Sequence, residues 1–199
     1  MSWGTVEFSQ FRELANRIRE AANGEKMAQL CEDCAKDMAE AFLEIVIPLT
    51  PTGETPDLAD VIGNATGESE MKKYTAWRAA WDGYEGGELK RGWTGGRDES
   101  PAAFAKTLQV VRSGNQYTIT VENIKDYALY VEEGHRQTIG RYVPAIGKKL
   151  ISPAAAGVKF KEKAEMQMRA GAADAKIQKR VDAFMEELFG GKKSVKSRS

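Results

Sequence analysis

Cys31-Glu-Asp-Cys34 is the first place in this chain where residue type and spacing suggest chemistry. A structural zinc site takes four ligands, commonly from two such pairs, and the only further candidate is His135, the single histidine. The two thiols also lie three apart on the apolar face of a predicted helix, where free cysteine behaves as a small hydrophobe. Core packing is therefore expected in place of zinc or redox chemistry. Catalysis with a histidine base would rest on His135 alone. That residue follows Val131-Glu-Glu-Gly134 at a predicted helix end, where an imidazole can cap carbonyls, so a structural or interface role is expected. Gly86-Gly87 and Gly95-Gly96 do not match a phosphate-binding loop, and neither sits between a strand and a helix. Asp57, Asp60, Glu68 and Glu70 do not reproduce a calcium loop. No catalytic residue, metal or cofactor is assigned, and an enzyme is not expected.

Composition narrows the class further. The chain has 199 residues, 42% hydrophobic and 29% charged, within the globular range. Lys+Arg and Asp+Glu are both 29, which argues against a general nucleic-acid coat. Lys192, Lys193, Lys196 and Arg198 stand in an acid-free end, 190–199, read as a basic solvated tail. Without those four the body holds 25 bases against 29 acids. The opening Met1-Ser-Trp-Gly-Thr-Val-Glu has neither a basic nor an apolar leader region, so no secretory signal is expected. No segment is apolar enough to span a bilayer, and two cysteines without a leader suggest free thiols in a reducing cytosol.

The elements that must position these residues follow from periodicity. A helix is predicted over 9–22, with Ser9 as its cap and Phe11, Leu14, Ile18 and Ala22 on one face. A second is predicted over 25–46, with Met27, Leu30, Cys31, Cys34, Met38, Ala41, Phe42 and Ile45 as its stripe and Pro48 and Pro51 as its stop. Periodicity then fails from Thr50 to Ala103, which holds nine of the 19 glycines, and only 68–81 could be helical. Trp77, Trp81 and Trp93 lie there, so the stretch reads as an irregular insertion that orders against a neighbouring subunit. A hairpin is predicted over 106–112 and 116–123, where Tyr117, Ile119 and Val121 alternate with polar residues. A short helix over 126–133 ends at Gly134, and a long helix covers 158–189. Helices, then strands, then helix give an α+β fold: N-terminal helices, a central antiparallel β-sheet and a long C-terminal helix. The expected organisation is one domain over 1–189, with 50–103 as its insertion and 190–199 as the tail.

The stretch Tyr117–Arg136, YTITVENIKDYALYVEEGHR, resembles the tail-component family of long-tailed double-stranded DNA phages and prophages, similar to minor tail protein Z. The matching residues are Val121, Asn123, Tyr127, Ala128, Tyr130, Val131, Glu132, Gly134, His135 and Arg136. Thr50-Pro-Thr-Gly53 with Gly87-Glu-Leu89-Lys-Arg91-Gly-Trp93 resembles a second family segment, split here by about thirty residues. Arg141-Tyr-Val-Pro144 resembles a third. The resemblance implies a structural virion protein of the neck, a homo-oligomeric ring with a hexamer favoured, assembled in the host cytoplasm and placed at the head–tail junction. There it would complete the tail and join it to the filled head. A tail terminator or head-closure subunit is the alternative. Implied partners are other neck and tail proteins and phage DNA passing through without sequence-specific contact; no membrane is implied. Tyr127, Tyr130, Glu132, Gly134, His135, Arg136, Trp77, Trp81 and Trp93 are the interface candidates. A DNA-binding accessory role using the basic tail is the third reading, marked by a steep salt dependence.

Overall fold

The structure, a computed structural model, describes residues 24–189 together with Asn16 and Glu20. The helix expected over 9–22 and the tail over 190–199 therefore lie outside the described residues. The fold is α+β, mostly helical with small antiparallel strand pairs. It divides into two compact units. The first takes 24–42, 101–120 and 168–189, and the second Leu43–Ser100 and Val121–Gln167.

Helix α1, Glu25–Leu49, starts in the first unit and ends in the second. It buries Ala35, Ala39, Ala41, Leu43 and Val46, whereas Met38, placed on the apolar stripe by periodicity, is half exposed. Pro48 sits inside the last turn, and the chain leaves the helix at Thr50. There the Thr50 hydroxyl donates to the Val46 carbonyl at 2.7 Å, a local bond that helps end the helix.

In the second unit, the stretch expected to be irregular carries α2 (Leu58–Ile62), then α3 (Glu68–Trp81) where the sequence allowed a helix, then α4 (Glu88–Arg91) and a 3-10 turn at Gly92–Thr94. Asp57 caps α2 by accepting the Ala59 N–H at 2.8 Å. Helix α3 buries none of its residues fully, so it offers no clean apolar stripe to periodicity. In the first unit, helix α5 (Pro101–Thr107) absorbs Lys106 and Thr107, which the hairpin had been expected to contain. Its strands are the shorter β1 (Val110–Ser113) and β2 (Gln116–Ile119), paired Val110 to Ile119 around a two-residue turn. Gly114 takes φ 61 in that turn, which a side chain would resist.

No single central sheet exists among the described residues; there are three two-stranded ladders. After helix α6 (Ala128–Glu133), strand β3 (Gly134–Arg136) pairs with β6 (Ala154–Ala156), and β4 (Tyr142–Val143) with β5 (Lys148–Lys149). Backbone bonds from Gln137 to Pro153 and from Gly140 to Leu150 link the two ladders into one arm, 134–156. Gly140 and Arg141 together face Leu150: the Gly140 N–H donates to its carbonyl at 2.8 Å, and the Leu150 N–H to the Arg141 carbonyl at 2.9 Å. That is a β-bulge, with Gly140 at φ 80. The arm's tip, a 3-10 turn at Pro144–Ile146, packs on α3, where the Trp81 indole donates to the Ala145 carbonyl at 2.9 Å.

The expected single C-terminal helix is two, α7 (Phe160–Arg169) and α8 (Asp174–Phe189). Gly171 takes φ 93 between them, a value no α-helix accommodates, and the Asp174 N–H closes the turn on its carbonyl at 3.0 Å.

Candidate functional site

The segment from Asn123 to Arg136 combines inward anchors with an outward face. Asn123 holds its beginning. Its amide donates to the Leu89 carbonyl at 2.8 Å, and its oxygen accepts the Lys125 N–H at 3.0 Å. The same side chain lies against Gly92 so closely that a Cβ there would overlap the amide group. Lys125 pairs with Glu88 at 2.9 Å, and that hydrogen bond, with the lysine's charge, holds the Glu88 carboxyl below its usual range.

Glu132 holds the end. Its residue is 4% exposed, and its two carboxylate oxygens accept the N–H groups of Lys161 at 2.9 Å and Glu162 at 3.0 Å. Those donors belong to the first turn of α7, where backbone N–H groups lack helical partners and the helix dipole favours an anion. Glu132 is therefore a helix-capping group. Its expected place among the interface candidates is corrected, because the residue is buried and both oxygens are engaged internally.

Gly134 has φ 83 and ψ 176, a region open essentially to glycine alone. A Cβ on it would also run into the backbone of Ala155 and Gly157. Two glycines thus let β3 and the exit of β6 approach closely. Gly134 stops α6 as expected, and the chain continues directly into β3. His135 and Arg136 stand on that strand, both exposed. The imidazole meets the Tyr130 ring edge-on at 6.2 Å, and Arg136 forms no ion pair among the described residues. Tyr127 is 41% exposed, Tyr130 61% and their neighbour Leu129 66%. Burial and the nearby Glu88 charge push the Tyr127 phenol up, so it remains a neutral donor.

The tryptophans are corrected. Trp93 is 3% exposed, donates to the Thr50 hydroxyl at 2.9 Å and meets Phe160 edge-on at 6.2 Å. Trp77 donates to the Pro56 carbonyl at 2.9 Å, and Trp81 to Ala145. All three indoles find their partners inside their own unit, so none needs a neighbouring subunit to satisfy its N–H. The two pieces of the split segment also come together. Thr50 bonds Trp93, the Tyr84 hydroxyl covers Gly53, and a Cβ on Gly86 would lie 3.3 Å from the Gly53 carbonyl. The insertion leaves and returns at one place.

Cys31 and Cys34 are free thiols. Burial, reinforced by the Asp37 carboxylate, pushes the Cys34 thiol up, which disfavours the thiolate that metals and electrophiles require. Among the described residues no group of three or more His, Cys, Asp or Glu is placed to hold a metal ion. An open groove of about 650 Å³ runs between α1 and α8. Its four carboxylates meet four cations, three of which pair across it, so its charges balance within the groove.

Sequence reasoning named the outward residues but missed two anchors. Thr50 and Asn123 stood in the matched segments without a role, because their partners lie 43 and 34 residues away. No protein-family model, curated protein or solved structure matches the chain. No described helix is long and apolar enough to cross a membrane.

Proposed function

We propose that the chain is a structural virion subunit of the neck of a long-tailed phage, part of a ring that completes the tail and joins it to the DNA-filled head. One observation carries the reading. The separated segments that resemble the tail-component family converge on a single framework, with Thr50 on Trp93 and Asn123 on Leu89 and Gly92, despite the insertion between them. Glu132 and Gly134 fix the same segment from its other end. Four further matched residues, Tyr127, Tyr130, His135 and Arg136, need no framework role and form an exposed aromatic and cationic face. Such a composition is what subunit interfaces favour.

Arg136→Ala tests the reading. Its exposed side chain forms no ion pair among the described residues, so the purified variant should keep the parent's circular dichroism and melting temperature. A phage carrying it should accumulate filled heads and separate tails, counted by electron microscopy. Infectious particles at the parental yield would reject the assignment.

A further inference from the structure

The second unit carries two exposed segments of opposite charge that leave each other unpaired. The arm, 134–156, holds Arg136, Arg141, Lys148 and Lys149 and no carboxylate; all four are exposed and form no ion pair among the described residues. The segment 54–70 holds Glu54, Asp57, Asp60, Glu68 and Glu70 and no base, and all five are exposed. Of these, Glu68 pairs locally with Lys72, and Asp57 caps α2. Packing brings the arm's tip against this same region: Gly147 lies so near Val61 that a Cβ would fall 2.6 Å from its carbonyl. The two charge sets still make no ion pair with each other.

Each segment also carries apolar surface beside its charges. The register of β3 and β6, continued along the arm, brings Ile139 level with Ile151, and these are 62% and 91% exposed. Arg136 and Arg141 flank Ile139 in the chain. On the acidic segment Met71, 63% exposed, directly follows Glu70. An isoleucine left this bare costs solvation that a phosphate backbone would not relieve but an apolar partner would. Methionine is a side chain that adapts to such contacts.

We propose that the arm of one copy docks on the 54–71 surface of a second copy, head to tail, with Ile139 and Ile151 against Met71 and cations against carboxylates around them. A contact between two different patches propagates to the next copy, and it closes into a ring when the rotation per subunit allows. The proposal deepens the ring reading above and rests on it for its biological setting.

Charge exchange tests it by sedimentation of the full purified chain. Arg136→Glu with Arg141→Glu should weaken self-association roughly tenfold or more, through like-charge contact. Asp60→Lys with Glu70→Lys should do the same. An equimolar mixture of the two double variants should restore assembly, since each then offers a matching surface to the other. Ile151→Ser should weaken association while leaving circular dichroism and melting unchanged. A parent chain that stays monomeric into the millimolar range, or double variants that associate like the parent, would overturn the proposal. So would an arm variant that loses salt-dependent DNA binding while still self-associating, because the arm would then serve a polyanion. Assembly through another surface, with normal incorporation into particles, would remove this docking and leave the neck reading standing. Docking as described in a chain that never enters particles would do the reverse.

Discussion

The two units are held together by different means. Among the described residues of the first, the buried apolar side chains are Ala35, Ala39, Ala41, Ala105 and Ala173, with Phe104 as the large exception. Charges join its long helices. Arg180 of α8 grips both carboxylate oxygens of Asp37 on α1 and reaches Asp33 at 3.3 Å, while Lys176 meets Glu40 at 2.9 Å and Lys26 meets Glu187 at 2.7 Å. In the second, the core is bulky: Leu43, Val46, Val61, Leu89, Trp93 and Phe160, with the Trp93–Thr50 hydrogen bond inside it. Alanine buries little area per residue, so ion pairs make up a larger share of the described contacts between the helices of the first unit. Apolar volume dominates the second. The exposed arm and its candidate interface stand on the unit with the stronger core, as a contact surface that must keep its shape requires.

Removing the largest buried side chain should have the largest effect. Trp93→Ala deletes the indole and leaves the Thr50 hydroxyl without its donor, so it should destabilise the second unit by about 3–5 kcal/mol. Urea denaturation followed by circular dichroism checks this. A loss under about 1 kcal/mol would mean that the bulky core collapses around the gap as the alanine core could, and the contrast between the units would fail.

Arg180→Ala is the counterpart in the first unit. Asp37 is 6% exposed and would keep its carboxylate without the bidentate partner, so a loss of about 1–3 kcal/mol is expected. The arginine side chain is itself 40% exposed, which holds the value toward the lower end and makes it shrink in high salt. A loss independent of salt would point to lost packing of the arginine stem.

How much of this was legible in the sequence differs along the same line. Helix α1, the β1–β2 turn and the stop at Gly134 announce themselves through local signals: a stripe, a Gly-Asn pair, a glycine after an acidic helix end. The α3 helix, allowed over 68–81 by the sequence, signals itself only weakly, because none of its residues is fully buried and its tryptophans spend their indole N–H groups on loop carbonyls. Trp77, Trp81 and Trp93 read as waiting for a neighbour because their indole partners lie 21, 64 and 43 residues away along the chain. The break at Gly171 was masked by alanines that fit helix on either side. The β3–β6 pairing was unreadable for another reason: Ala154–Ala156 shows no alternation, and its pairing with Gly134–Arg136 depends on glycines at 134 and 157 that permit close approach. Glu132 looked free because its two donors lie 29 and 30 residues further on.

The smallest effect expected belongs to Cys34, and it probes the charged character of the first unit without disturbing the fold. Its thiol is pushed above the ordinary value of 9.0, first by burial and then by the Asp37 carboxylate, with Arg180 opposing. The folded chain therefore keeps the proton to higher pH than the unfolded chain does. Whatever stability this contributes is complete below the unfolded value and is lost only as pH rises through the folded one. At neutral pH the thiolate fraction is small, and thiolate is the reacting form. In Cys31→Ser, where Cys34 is the sole cysteine, reaction with a chromogenic disulfide should be slow at pH 7.5 and rise with an apparent pKa above 9.0. Adding Arg180→Ala should raise that pKa further, because a positive charge that favours the thiolate is gone while Asp37 remains. Rapid reaction at pH 7.5, or an apparent pKa that falls when Arg180 is removed, would show that Arg180 and Asp37 do not set the field around α1.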